Sequence, residues 1–426
     1  MDRFDITGRR PLVGAVRVAG AKNAALPAMA AALLSDQPSR IAGVPWVRDV
    51  ETMRRLLGTL GVDGVRDGDA VVLTPQGGAP NCAADYQLVR RMRASVCVLG
   101  PLVGRRGRAR VALPGGCQIG HRPIDRHLDA LARLGADIRL ERGDVVAEAS
   151  QLVGCDLDLA GPRGSTVTGT GNAVAAATLA RGRTVIRGAA VEPEVADLCR
   201  ALRTMGACID GIGHDTLTID GVEELGGLDH RIIPDRIEAA TLAAAAAMVP
   251  GSGVTIEGVV PEHVAAPARL LTACGLSSAF DRDRWTVRRD GPLTAIDLEA
   301  TPYPGPPTDW QAQFTAVMTQ ADGPALIRDA VFPDRFGHAG ELVRLGAAIE
   351  RTADGLRVGG PSPLVGCDVL ACDLRASAAL VLAGLAAEGT TRVRRIYHLD
   401  RGYESLESKL TALGADVRRV RDEHPF

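Results

Sequence analysis

The sequence predicts an α/β protein of two domains, each assembled from three βαβαββ units, and three observations carry that prediction. A helix-ending mark of the Leu-Gly-Ala type recurs six times along the chain. Alanine-rich helical stretches followed by β-branched triplets recur in phase with it. The length, 426 residues, is about two to three domains' worth of chain at ~100–200 residues each.

The first mark stands at Leu60-Gly61-Val62-Asp63, Leu134-Gly135-Ala136-Asp137, Met205-Gly206-Ala207, Cys274-Gly275-Leu276, Leu345-Gly346-Ala347 and Leu413-Gly414-Ala415-Asp416. Its glycines are 74, 71, 69, 71 and 68 residues apart. Each fits the position just past a helix, where positive φ is wanted, with a strand such as Asp137-Ile138-Arg139-Leu140 to follow. The second mark runs from Asn172–Ala177 through Gly182 to Thr184-Val185-Ile186, from Ala239–Met248 through Gly253 to Val254-Thr255-Ile256, and from Ala376–Ala387 through Gly389 to Thr391-Arg392-Val393. Here too the glycine is expected to end the helix with positive φ, and the β-branched triplet to form a strand. Alanine-rich helices imply burial on most sides and close helix–helix contact. Six units divide into two groups of three near Arg231–Arg236, one group to each expected domain. The active site is expected in a cleft between them that can close.

Composition narrows the function. The 49 basic and 51 acidic residues nearly cancel, which argues against a dedicated nucleic-acid binder. No apolar run reaches a membrane span, and Met1-Asp2-Arg3-Phe4-Asp5 lacks the apolar core of a signal peptide, so a soluble cytoplasmic protein is expected. Of the 49 cationic residues only Lys22 and Lys409 are lysines. A lysine that persists against such an arginine bias marks a place where a guanidinium does not serve. The nine cysteines show no paired spacing, so neither a disulfide framework nor a zinc site is expected, and most should be buried as small hydrophobes.

Four segments carry chemistry. Gly20-Ala21-Lys22-Asn23-Ala24-Ala25-Leu26-Pro27 puts Asn23 at an expected helix N-cap, Pro27 in the first turn, and Lys22 beside a helix end that attracts anions. Pro114-Gly115-Gly116-Cys117-Gln118-Ile119-Gly120-His121-Arg122 reads as a lid loop with a thiol whose pKa Arg122 lowers; a helix Ile124–Leu134 follows. Pro306-Pro307-Thr308-Asp309-Trp310 places Asp309 in an N-cap-like position. Arg335, Arg375 and Arg401 recur near expected helix starts, which disfavour cations unless an anion is bound.

Taken with Arg91-Met92-Arg93-Ala94-Ser95, Pro234-Asp235-Arg236-Ile237-Glu238 and Ile396-Tyr397-His398-Leu399-Asp400-Arg401-Gly402-Tyr403, these segments make the chain resemble the enolpyruvyl transferase family from Phe4 to about Val420. The resemblance is to the branch that acts on UDP-N-acetylglucosamine. It implies two inside-out α/β domains, 22–233 and 1–21 with 234–426, and transfer of the enolpyruvyl group of phosphoenolpyruvate to the sugar's 3′-hydroxyl, with release of phosphate, as the first committed step of peptidoglycan synthesis. Phosphoenolpyruvate brings about three negative charges and calls for several cations with planar, bidentate reach.

By the same resemblance Lys22, Arg122 and Arg401 would hold the phosphate, and Arg335 and Arg375 the carboxylate. Cys117 would protonate the substrate's methylene carbon, with a phospholactoyl thioether and alkylation by fosfomycin as further expected behaviour. Asp309 would orient or deprotonate the attacking hydroxyl, and Asn23 would contact the sugar and the tetrahedral intermediate. Arg93, Arg122, Pro123, Ile124, Asp125, Arg126, His127, Gly164, Ser165, Thr166, Val167 and Val331 would bind the nucleotide sugar. No metal or organic cofactor is implied. Two kinds of alternative stay open: transfer to shikimate 3-phosphate or a nucleoside phosphate on the same fold, and a non-catalytic nucleotide-sugar-binding paralogue.

Overall fold

The computed structural model describes residues 2–77, 81–113 and 123–421. Two compact units emerge, one from residues 2–19 and 234–421, the other from 20–233. Six sheets share one pattern, four with four strands, one with five and one with three. In the third repeat, Asp156–Asp158 pairs in parallel with Arg183–Arg187, which pairs antiparallel with Thr216–Asp220, itself antiparallel to Cys208–Asp210. Helices Val167–Ala177 and Pro193–Thr204 make the two crossovers, so the order is strand, helix, strand, helix, strand, strand.

Three sheets are completed by a segment from elsewhere in the chain. Strand Asp2–Thr7 lies between Thr390–Arg394 and Asp416–Arg421 and closes the last repeat. Val13–Arg17 adds to Gly253–Glu257 in parallel. In the other unit, Asp229–Arg231 adds to Ser39–Ala42, far upstream. The second repeat reduces its first strand to a single bridge, Ala83 to Arg110.

The alanine-rich helices are the interior. In Arg236–Met248 every residue from Ile237 onward is buried, and in Leu374–Ala386 the same holds from Arg375 to Leu385. A helix apolar on every side has no solvent face to present, so sheets and further helices surround it. Small side chains let these helices approach closely. A Cβ added at Gly100 would sit 2.3 Å from the backbone oxygen of Asn172 on the neighbouring helix, so only glycine fits.

Each helix needs its first N–H groups satisfied without water. Asp235 accepts from the amides of Ile237 and Glu238 at 2.8 and 3.0 Å; Asp373 accepts from those of Arg375 and Ala376 at the same distances. The six glycines of the Leu-Gly-Ala mark all take positive φ, between +84° and +106°. The second mark is corrected in detail. Gly182 and Gly389 have positive φ but lie in the turn entering the strand, three or more residues past the helix end, and Gly253 is already in a strand while Gly251 makes the turn.

Two expectations at the N-terminal motif also change. The helix begins at Lys22 with Ala21 as its uncapped start, so Asn23 is its second residue and not its N-cap. Pro27 is the sixth residue of Lys22–Ala31, well inside the helix, and removes the donor that the Asn23 carbonyl would meet in an unbroken ladder. Of the eight cysteines described, only Cys97, Cys199 and Cys274 are buried; Cys208 is exposed and the rest are intermediate, so the expectation of mostly buried thiols fails. No helix among the described residues is long and apolar enough to cross a membrane.

Replacing Gly100 by Ala is expected to lower unfolding free energy by about 1–3 kcal/mol, the usual cost of overpacking. Gly182→Ala, with open space around it but φ of +92°, should cost about 1 kcal/mol. Urea midpoints of the two variants against the parent chain check the ranking.

Candidate active site

The unit containing residues 234–421 gathers three of the expected residues into direct contact. Asp309 accepts from Arg335 Nη1 through Oδ1 at 2.7 Å and from Arg375 Nη2 through Oδ2 at 2.8 Å. Both arginines are buried; the Asp309 side chain is 27% exposed, so its carboxylate remains reachable. Burial alone would push the Asp309 carboxyl up, but the guanidiniums of Arg375 and Arg335 outweigh it and hold it well below the usual carboxylate range. Burial likewise opposes the Arg375 charge, and Asp309 overcomes that and keeps it protonated.

Local structure explains how the triad forms. Asp309 is not an N-cap: it lies within a single 3-10 turn, Thr308–Trp310, ahead of helix Gln311–Met318. Its side chain is therefore spent on the arginines and not on helix amides. Arg335 also donates to Thr308 Oγ1 at 3.0 Å, and Thr308 donates to Asp329 Oδ2 at 2.5 Å. Asp329 Oδ1 in turn accepts from the amides of Val331 and Phe332, fixing the segment that delivers Arg335. Arg375 is the second residue of its helix, where Asp373 already caps the amides. Its Nε and Nη1 are buried and meet no acceptor among the described residues. A buried guanidinium ordinarily has its donors met, so these two stand out as unusual. Arg401 closes the 3-10 helix Ile396–Arg401 instead of opening a helix, which corrects the expected placement. It lies near enough to His398 to help hold that imidazole down at about 4, after burial and Arg395.

The other unit carries the remaining described candidates. Lys22 is buried with Nζ 3.1 Å from Oδ2 of Asp49, also buried and in the first turn of helix Arg48–Thr59. Asn23 beside it is exposed. His127 is 2% exposed: Nδ1 accepts from Asn172 Nδ2 at 2.8 Å, and Nε2 faces Thr168 Oγ1 at 3.2 Å. Asn172 anchors this arrangement by donating to the Val96 carbonyl and accepting from the Gly100 amide. Burial, with Arg93 nearby, pushes the His127 imidazole down to about 4, so it is neutral. Both ring nitrogens meet side chains of helix Val167–Ala177.

Arg93 opens the 3-10 helix Arg93–Val98. Pro123 and Asp125 are exposed, Ile124 is buried at the start of helix Asp125–Arg133, and Arg126 lies against Gly161. Gly164 takes a φ of +92°, Ser165 is half-buried, Thr166 caps helix Val167–Ala177 by accepting from Gly169 N, and Val167 is exposed. Val331 is half-buried in the segment ordered by Asp329. Cys117 and Arg122 lie outside the described residues.

Sequence reasoning missed Asp49, Thr308, Asp329 and Asn172, and it left Lys409 unexplained. Lys409 Nζ lies 2.6 Å from Oε1 of the buried Glu238, whose Oε2 accepts from the Ala19 amide. A signal existed for Asn172 and Glu238: each is a polar residue within an otherwise apolar helix, a position that requires a buried partner. No group of three metal-ligating side chains occurs among the described residues.

The model of the family described as EPSP synthase (3-phosphoshikimate 1-carboxyvinyltransferase) matches residues 6–410, and the chain belongs to that family. Among its relatives, a UDP-N-acetylglucosamine 1-carboxyvinyltransferase of Methylacidiphilum infernorum is 48% identical, with 99% of both chains covered. A protein of the same name from Sorangium cellulosum is 50% identical, again over 99% of both chains. The crystal structure of the enolpyruvyl transferase NikO from Streptomyces tendae superposes with a TM-score of 0.87 at 30% identity, covering 98% of this chain and 99% of that one. EPSP synthase from Acinetobacter baumannii shares the fold, with a TM-score of 0.74 at 18% identity, over 99% and 100%.

His127 sets a pH dependence. Its folded value of about 4 lies below the ordinary 6.5, so the unfolded chain binds the proton more tightly. Its contribution is complete above pH 6.5 and drains as pH falls toward 4, by about 3 kcal/mol at ~1.36 kcal/mol per unit. Urea midpoints of the parent and of His127→Gln between pH 7 and 4 should show a steeper fall in the parent.

Proposed function

We propose that this chain transfers the enolpyruvyl group of phosphoenolpyruvate to the 3′-hydroxyl of UDP-N-acetylglucosamine, releasing phosphate, in peptidoglycan synthesis. The observation that carries the reading is the likeness along the whole chain, at 48–50% identity, to relatives bearing the corresponding name. The Asp309–Arg335–Arg375 triad supports it independently, because it offers a base and a carboxylate clamp within one hydrogen-bonded group.

In the mechanism proposed, Arg375 and Arg335 take the carboxylate of phosphoenolpyruvate. Lys22, Arg401 and Arg122 take its phosphate, with a compact ammonium and two planar guanidiniums matching the trianion. Cys117 donates a proton to the methylene carbon, which leaves C2 electrophilic. The sugar hydroxyl then attacks C2 while Asp309 accepts its proton. Loss of a proton from the new methyl group and departure of phosphate complete the exchange. Asn23, exposed beside Lys22, contacts the sugar and the tetrahedral intermediate. Arg93, Arg122, the exposed Pro123 and Asp125, Ile124, Arg126 and the Gly164–Val167 turn grip the nucleotide, and Val331 borders the sugar. His127 holds the nucleotide-binding helix in place.

Substrate binding switches the base on. While the two arginines are satisfied by Asp309, its carboxylate is stabilised in the charged form and is a weak base. An arriving substrate carboxylate competes for the same guanidiniums, draws off part of their charge and raises the basicity of Asp309 when the hydroxyl is in place. Asp309 thus shares the two guanidiniums with the substrate carboxylate, which meets the Arg375 donors that Asp309 leaves unpaired.

Phosphate release measured with phosphoenolpyruvate and either UDP-N-acetylglucosamine or shikimate 3-phosphate tests the reading; turnover with the first acceptor alone is expected. Turnover only with shikimate 3-phosphate, or with neither, overturns it. Asp309→Asn is expected to lower kcat by about 100-fold or more. Its KM for phosphoenolpyruvate should stay level or fall, because the arginines lose their internal competitor. A rise in that KM would speak against the exchange.

A further inference from the structure

Behind the triad lies a buried hydrogen-bonded chain to which neither the motifs nor the mechanism gives a role. Tyr403 is 3% exposed, and Gln313 and Thr241 are fully or almost fully buried. Gln313 Nε2 lies 3.1 Å from the backbone carbonyl of Asp309 and 3.0 Å from the Tyr403 hydroxyl. The Tyr403 hydroxyl lies 2.9 Å from Thr241 Oγ1, whose own proton goes to the Ile237 carbonyl at 2.7 Å. A carbonyl only accepts, so the Gln313 nitrogen must face Asp309. With the Thr241 proton committed, Tyr403 donates to Thr241 Oγ1, and the second Gln313 proton is shared between the Tyr403 hydroxyl at 3.0 Å and Thr241 Oγ1 at 3.1 Å. The directions are therefore fixed along the whole chain, from the Asp309 carbonyl to the Ile237 carbonyl.

The chain also fixes the plane of the Tyr403 ring, and the Arg375 guanidinium lies over that ring at 5.3 Å from its centroid. A desolvated guanidinium over an aromatic face gains about 2 kcal/mol or more and is held in orientation. Arg375 thus has an ion pair at one nitrogen, a ring face below, and two buried donors, Nε and Nη1, without an acceptor among the described residues.

We propose that Tyr403 is a positioning residue for substrate binding: its ring is the floor that aims the two remaining Arg375 donors at the phosphoenolpyruvate carboxylate, and Gln313 couples that floor to Asp309. The Tyr403 ring lies under the Arg375 guanidinium, and the hydroxyl, itself close enough to interact with that guanidinium, locks the ring. The inference rests on the function proposed above. It ties the carboxylate clamp and the base to one rigid support, so that a shift of either is felt by both.

Steady-state kinetics of Tyr403→Leu, Tyr403→Phe and Gln313→Met test it, with KM measured separately for each substrate. Tyr403→Leu should raise KM for phosphoenolpyruvate about tenfold or more while KM for UDP-N-acetylglucosamine changes less than twofold. Tyr403→Phe keeps the face and should bring KM for phosphoenolpyruvate back to within about threefold of the parent. Gln313→Met, which keeps the ring and its length of side chain but not the lock, should fall between the two and stands in if Tyr403→Leu does not fold. An unchanged KM for phosphoenolpyruvate in Tyr403→Leu overturns the proposal, and so does an equal rise for both substrates. If Tyr403→Leu does not fold, a Gln313→Met value equal to the parent's has the same force. The parent chain in the same series separates the two readings: without phosphate release from it the function fails, and with release only the role of Tyr403 is at stake.

Discussion

The constraint on which the rest depends is that the central helices are buried almost throughout, most completely Arg236–Met248, Gln311–Met318 and Leu374–Ala386. Alanine and glycine fill them because anything larger would hold the backbones apart, as Gly100 against Asn172 shows. The same constraint makes every polar side chain in these helices expensive unless a partner is built in. Asp235 and Asp373 pay with helix caps. Glu238 takes Lys409 and the Ala19 amide, and Asn172 takes His127, Val96 and Gly100. Thr241 and Gln313 take one another, Tyr403 and the Asp309 backbone. Polar exceptions in an apolar helix are thus not scattered; each one anchors something outside the helix.

Charge follows the same logic. A net charge of −2 is the sum of many local cancellations, and the informative ones are buried. Both lysines of this arginine-rich chain end on buried carboxylates, Lys22 on Asp49 and Lys409 on Glu238. A buried pair adds little stability but removing one partner strands the other, which is reason enough for both lysines to persist. The difference lies in what surrounds them. Glu238 is saturated by Lys409 and a backbone amide, a closed arrangement that fixes structure. Lys22 stands next to the exposed Asn23 in the segment that carries the family resemblance.

The repeat was legible because its signals are local: a glycine that must take positive φ, and an alanine-rich run that must be buried. The repeat signal did not display the permutation, which only the family resemblance implied, since Asp2–Thr7 and Asp229–Arg231 enter sheets whose other strands lie far away in the chain. Helix ends were misplaced where propensity and capping disagreed. Asn23 is a good N-cap residue, yet the helix starts one residue before it, at Lys22, where the Ala21 amide is already bound to the Ile233 carbonyl. Of the site, Asp309, Arg335 and Arg375 were recoverable because their motifs resemble a family. Asp49, Asp329 and Tyr403 in its positioning role were not, because each acts across a distance in sequence that no spacing rule reaches.

The symmetry also shows where chemistry enters. Two of the three central helices in the 234–421 unit begin with an aspartate that caps them, Asp235 and Asp373. The third begins with Pro307-Thr308-Asp309, where a 3-10 turn precedes the helix and the Asp309 carboxylate caps nothing. A capping carboxylate is consumed by two amides; one released from that duty is available to a cation. Arg375, placed by the cap at Asp373, supplies that cation, and Arg335 a second. One repeat therefore spends its aspartate on folding and lends an arginine, while its neighbour breaks the pattern and exposes a carboxylate. The proposed catalytic carboxylate arises from a departure of a single helical turn within an otherwise repeated scaffold, and the buried helices of the other two repeats hold that departure in a fixed geometry.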